Sequence, residues 1–410
     1  MKIKLQNQLF YSLFVSSLFI SMYIGENSSG GSQIDNLITQ TYIDDFDNSF
    51  FYGIKSFLIS GQIHSPIFYY IISLSKKILN YETLKIMYVL ISSILPYIFY
   101  KSLRVKFRKV DQKYIFFLSL IIFLSPYFRS SSSWITNDNL SLVFFGLSIF
   151  YFLKAKQIKK SNNIDFYLCF IFLSLSAYIR QYYGLFFIVY LIEVLRTKNK
   201  LLILKCLILN AILSIPFFIY LSFYFKYQGE ILQSPNSTDN SLLENIPFVL
   251  SIIFFYISMF VASMKLNFSA IKKEIHKEFK NILLTILTFI IFLTFLNTQD
   301  YLFGGGTIYK IGSFLNIGIP TTYIFAVISF IVIFLSIEKS INNLLIILIL
   351  CFISFELVYQ KYYDPLILII FFTLIDSKKV DFIIKGKLIN LKKIFFIKLS
   401  FLIFCNLYYI

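Results

Sequence analysis

Apolar runs of about 15–25 residues recur from end to end of this chain, each long enough to cross a hydrocarbon layer roughly 30 Å thick. Hydrophobic residues make up 58% of its 410 residues, against roughly 45–50% in a soluble domain. So many long apolar helices exclude a water-soluble globule. The expected fold is all-α: a polytopic transmembrane helical bundle forming a single integral membrane domain over residues 1–410.

The net charge of +17 invites a nucleic-acid reading, but the bases sit in short segments between the apolar runs. Lys101, Arg104, Lys106, Arg108, Lys109 and Lys113 form one such cluster, and Lys154, Lys156, Lys159 and Lys160 another. Others surround Arg196, Lys273 and Lys379. Clusters flanking membrane helices carry the positive-inside signal, so membrane lipids are the expected partners and nucleic acid is not. Cys169, Cys206, Cys351 and Cys405 lie inside apolar runs without ligand-like spacing and read as small buried hydrophobes. The basic, then apolar, start of the chain reads as an uncleaved first helix.

With the basic clusters placed inside, the runs pair off as about thirteen helices, N-terminus in and C-terminus out. They cover 8–24, 84–101, 114–128, 139–154, 164–178, 182–195, 201–225, 246–264, 281–296, 314–336, 344–358, 364–376 and 394–410. Residues 25–83 then form a long first extracytoplasmic loop, in which the short apolar stretches 50–58 and 67–79 suit helices lying in the interface. The other outer segments carry isolated bases, Arg129, Arg180, Lys226, Lys310 and Lys361. An anionic ligand would account for them.

Candidate chemistry concentrates on this outer side. Asp35 lies in a Gly/Ser-rich turn, Gly30-Gly31-Ser32-Gln33-Ile34-Asp35; there it is either a solvated loop acid or a base for an acceptor hydroxyl. Asp44 and Asp45 are a second acidic candidate for that role. In His64-Ser65-Pro66-Ile67-Phe68-Tyr69-Tyr70, Pro66 suits the first turn of a helix with Ser65 or His64 near its cap. An imidazole at a helix N-terminus favours a phosphate or a metal. Asp138 opens the fourth helix, as a cap or as the second of two acids able to hold an acceptor or a divalent cation. Arg180 interrupts an apolar stretch at a tight helical hairpin; ionisable groups at such depth are costly, and a guanidinium grips phosphate bidentately. The triple glycine Gly304-Gly305-Gly306 is either a plain turn or a flap carrying Lys310.

Asp35, the His64–Tyr70 segment, Asp138 and the Arg180 hairpin, in that order, resemble the GT-C superfamily of polyprenyl-phosphate-sugar-dependent glycosyltransferases. The similarity is to the protein O-mannosyltransferase and aminoarabinose transferase branch, and it covers roughly residues 1–200. Residues 201–410 are less specific, with only a loose match at Gln360-Lys361-Tyr362-Tyr363-Asp364-Pro365. The resemblance implies an inverting enzyme of the cytoplasmic (inner) membrane of a bacterium. It would move a sugar from a polyprenyl-phosphate donor to a lipid, glycan or protein acceptor on the extracytoplasmic face. Asp35 would be the catalytic base and Asp138 a second essential acid. His64 would lie near the donor or a metal, and Arg180 would contact the lipid phosphate with help from Arg129, Lys310 or Lys361. Ser65 stands where the family has its first proline, Asn36 where it pairs Asp with Glu, and Arg180 where lysine is common. A transporter or flippase, or a polymerase or ligase, of lipid-linked glycans are the alternatives.

Overall fold

A computed structural model describes residues 2–60, 65–157, 163–231, 242–264, 276–296, 298, 300, 301, 304–354 and 357–409. Among the described residues there are nineteen α-helices and no strand. The chain divides into two compact units, Met1–Asn236 with Leu399–Ile410, and Ser237–Lys398.

In the first unit, α1 (Lys2–Ile24) is followed by three short helices, α2 (Ser32–Asn48), α3 (Phe50–Ile59) and α4 (Ile67–Lys76). Long α5 (Tyr81–Lys106) follows, then α6 (Gln112–Leu120), a 3-10 turn and α7 (Pro126–Ser133). Next are α8 (Asn137–Gln157), α9 (Asn163–Ile179), a second 3-10 segment (Gln181–Phe186), α10 (Phe187–Arg196) and α11 (Lys200–Ile231). The two short apolar stretches of residues 25–83 are helical, as α3 and α4. Helix α2 is an addition: the Gly/Ser-rich turn ends at Gly31, and Asp35 stands in the first turn of a helix, where the helix dipole favours an acid. Its buried face runs Ser32, Asn36, Thr39, Tyr42, Ile43 and Phe46, a helical spacing that turns polar toward its N-terminus.

These short helices are closely fitted. Ser49 caps α3 by accepting from the Tyr52 amide at 3.1 Å, and Gly53 lets α3 close on Phe46, whose ring a Cβ there would meet at 2.3 Å. Tyr42, Phe46, Phe57, Phe68 and Tyr69 share one core with Tyr88, Ile135 and Ile179, which joins α2, α3 and α4 to α5, α8 and α9. That core includes Tyr69 and Ile179, next to the candidate site residues.

The second unit comprises α12 (Leu242–Ser263), α13 (Phe279–Thr294), α14 (Gly306–Phe314), α15 (Gly318–Ser336), α16 (Ile341–Phe352), α17 (Leu366–Thr373) and α18 (Lys378–Lys385). The last helix, α19 (Leu391–Tyr408), begins there and ends in the first unit. The triple glycine is pinned: the Gly305 amide donates to Val358 O at 2.8 Å, and the Thr307 amide to Gln360 Oε1 at 2.7 Å.

The thirteen-span expectation is corrected. Among the described residues six helices are long and apolar enough to cross a bilayer: Leu5–Ile24, Tyr81–Lys106, Asn137–Gln157, Lys200–Lys226, Leu242–Ser263 and Gly318–Ser336. A seventh is counted if Gln112–Leu124 and Pro126–Ser133, bent by 64° at Ser125, act together. The other apolar runs are interrupted. Run 182–195 is a 3-10 segment plus the ten residues of α10, and run 364–376 holds only the eight residues of α17. Large apolar side chains are nonetheless exposed along α1 and α11, among them Leu9, Leu13, Leu204, Ile212 and Phe218. That inversion of a soluble surface, with the six long apolar helices, is compatible with an integral membrane protein.

Candidate functional site

Two short connections bring charged groups together in the first unit. Helix α9 ends at Ile179, and Arg180 turns extended (φ −135°, ψ 103°) before the 3-10 segment. Its amide donates to Ser176 O at 2.9 Å and its carbonyl accepts from the Tyr183 amide at 3.1 Å, so the backbone is fixed on both sides. Residues 134–136 lead from α7 into α8, held where the Tyr88 hydroxyl donates to Thr136 O. Asp138 then stands in the first turn of α8.

Arg180 Nη2 donates to Asp138 Oδ1 at 2.5 Å. The arginine side chain is 4% exposed and the aspartate 14%, so neither water nor salt screens the pair much. Beside it lies Tyr69, buried in edge-on contact with Tyr42 and Phe68. Asn137 Nδ2 donates to its hydroxyl at 3.4 Å. Burial pushes the Tyr69 phenol above its usual range; the Arg180 charge pulls it down, and Tyr42, Asp138 and Asp35 push it further up. Asp35, Asp138 and Arg180 thus all act on one buried hydroxyl. Two of the expected site residues, Asp138 and Arg180, come into direct contact, and Tyr69 lies beside them. Tyr69 stands in the His64–Tyr70 motif, and an aromatic with a polar tip next to a helix cap is the signal for it in the sequence.

An apolar groove of about 210 Å³ runs alongside. Ala177, Tyr178 and Gln181, which flank Arg180, form one wall, and Ser65, Pro66 and Ile67 another. Phe46 and Phe50 from the short helices and Pro216, Phe217, Tyr220 and Phe223 from α11 complete it. Ser65 Oγ accepts from the Ile67 amide at 3.3 Å, and Pro66 is the N-cap of α4, one position before the first turn expected for it.

Other expected residues are placed elsewhere. Arg129 is clamped in a buried pocket by Glu26: Nε donates to both carboxylate oxygens at 3.2 and 3.1 Å, and Nη2 to Oε2 at 2.9 Å. Ser17 Oγ takes Nη1 at 3.0 Å, and Ser21 Oγ takes Nη2. Burial pushes the Glu26 carboxyl up, but Arg129, Ser21 and Ser28 outweigh it and hold it below its ordinary value of 4.5. Ser28 Oγ also donates to Pro126 O at 2.7 Å. The clamp therefore ties the loop before Asp35 to the helix before Asp138. Asp44 pairs with Lys76 at 2.6 Å, and Asp45 accepts from Ser56 Oγ at 2.5 Å; both tie α2 to its neighbours. His64 falls outside the described residues. Lys310 and Lys361 belong to the second unit, where Lys361 lies 5.3 Å from the Tyr359 ring centroid.

That unit holds a buried charged pair of its own. Lys398 Nζ and Asp364 Oδ1 stand 3.6 Å apart, both side chains 1% exposed, with Lys398 4.6 Å from the Tyr256 ring centroid. A lone base inside the apolar run 394–410 was the signal for it.

Among the described residues no group of three or more His, Cys, Asp and Glu side chains is arranged to hold a metal ion, so no step is assigned to the expected divalent cation. Comparison with protein-family models, with curated proteins and with solved structures gave no match to this chain.

Proposed function

We propose that the chain is a membrane glycosyltransferase, moving a sugar from a polyprenyl-phosphate donor to an acceptor hydroxyl on the extracytoplasmic side of a cytoplasmic membrane, with inversion. The supporting observation is a buried Arg180–Asp138 pair beside Tyr69, whose phenol also feels the charge of Asp35, with an apolar groove walled by the neighbours of that same arginine. A lipid phosphate has these two needs: cationic hydrogen-bond donors for its head and a dry channel for its chain.

Asp35, half-buried at the start of α2, accepts the acceptor's hydroxyl proton. The acceptor oxygen bonds to the anomeric carbon from the face opposite the phosphate as the carbon–oxygen bond to phosphate breaks. That electron pair leaves with the polyprenyl monophosphate, whose added negative charge Arg180 offsets. The acceptor is a lipid, glycan or protein hydroxyl. Arg129, whose donors are committed to Glu26, has no part in this step.

The test is donor turnover by the full chain in proteoliposomes, supplied with polyprenyl-phosphate hexoses and pentoses and read as release of polyprenyl monophosphate. Asp35→Asn should lower release by about 10²–10⁴-fold, the usual worth of a general base. Full release by that variant would refute the assignment. One observation favours a second reading, a carrier of lipid-linked glycans: the Lys398–Asp364 pair is a buried charge of the kind carriers use.

A further inference from the structure

On the reading that Arg180 grips the donor phosphate, the partner it already has becomes informative. Asp138 takes its Nη2 at 2.5 Å in surroundings nearly closed to water. An arriving phosphate seeks the same fork of donors, and the Asp138 carboxylate already on Arg180 opposes its negative charge. Giving up Arg180 does not strand Asp138. It stands in the first turn of α8, where backbone amides and the helix dipole favour a carboxylate.

We infer that Asp138 is a built-in competitor of the donor phosphate: it holds Arg180 until a phosphate displaces it, and is then released to hold the acceptor, so that donor binds before acceptor. The opposite role for the same contact is an orienting one, in which Asp138 presents Arg180 to the phosphate. The two roles differ in sign. Removing a competitor tightens phosphate binding, because the apparent affinity is reduced by the fraction of time the binding group is occupied. Removing an orienter loosens it.

The experiment is equilibrium binding of radiolabelled undecaprenyl monophosphate, and separately of inorganic phosphate, to the purified full chain. Asp138→Asn and Asp138→Ala should each bind the lipid phosphate roughly tenfold or more tightly than the unaltered chain, while sugar transfer falls. Unchanged or weaker binding would overturn the inference, as would tightening seen with inorganic phosphate alone. A measurement on the unaltered chain guards against misfolded variants: carbodiimide labelling of Asp138, read by mass spectrometry, should rise when undecaprenyl monophosphate is added, and a fall or no change contradicts release. Arg180→Gln separates this from the parent proposal. If that variant binds the lipid phosphate as well as the unaltered chain, the phosphate-gripping reading itself fails; if it loses binding while Asp138→Asn does not gain it, only the competitor role fails.

Discussion

Arg129 and Arg180 show how differently two similar-looking arginines can be used. Sequence position put both on an outer loop, as isolated bases available to phosphate. Arg129 instead spends its donors on Glu26, Ser17 and Ser21, and its carboxylate partner is only 4% exposed. Breaking such a buried pair from one side leaves the other charge uncompensated, at a cost of roughly 3–5 kcal/mol. Arg129→Met and Glu26→Gln should therefore each lower the thermal unfolding temperature of the detergent-solubilised chain, and the folded fraction of Arg129→Met should bind undecaprenyl monophosphate unchanged. Weakened binding with normal stability would return Arg129 to the site. The pH dependence has a definite sign: Glu26 is held below its ordinary value of 4.5. The stabilisation from its clamp is complete above that value and is lost as pH falls through the lower folded one. The Asp44–Lys76 pair, with the aspartate side chain 63% exposed, contributes within about 1 kcal/mol. Neither partner of Glu26 nor that of Asp138 was legible from spacing, since each lies many residues away in sequence and only the folded chain supplies it.

Among the secondary-structure elements, the packet of α2, α3 and α4 shapes the groove, and Gly53 is its tightest point. A valine there would drive its side chain into Phe46, which itself lines the groove with Phe50 and Ile54. Overpacking of this kind costs about 1–3 kcal/mol. Gly53→Val should lower the unfolding temperature and also weaken undecaprenyl monophosphate binding; normal binding would show that the groove does not hold the lipid. Much of this packet could be read from the residues. The stretches 50–58 and 67–79 foretold α3 and α4, Ser65-Pro66 foretold the start of α4, and the polar break at Arg180 foretold the end of α9. Helix α2 could not be read, because the buried positions of its first half are Ser32, Asn36 and Thr39 and hydrophobic periodicity begins only at Tyr42. The span count failed for the complementary reason. Apolar composition reports that a segment avoids water, whereas helix continuity depends on breaks such as Ser125-Pro126 and the 3-10 start of run 182–195, which composition does not register.

For the molecule as a whole, Arg180, Asp138, Asp35, Tyr69 and the groove all belong to the first of two compact units. The first unit supplies the guanidinium, both carboxylates, the buried phenol and the groove; the second supplies a buried lysine–aspartate pair of its own. Six long apolar helices and the exposed apolar side chains of α1 and α11 are compatible with an integral membrane protein, and the proposed donor would then be met within the bilayer. A polyprenyl monophosphate carrying a photoreactive group on its first isoprene unit tests this arrangement most directly. Labelling should fall on the peptides containing Phe46–Tyr70, Tyr178 and Pro216–Phe223, compete with unmodified undecaprenyl monophosphate and decline in Arg180→Gln. Labels spread along the exposed faces of α1 and α11, indifferent to competitor and to Arg180, would contradict it.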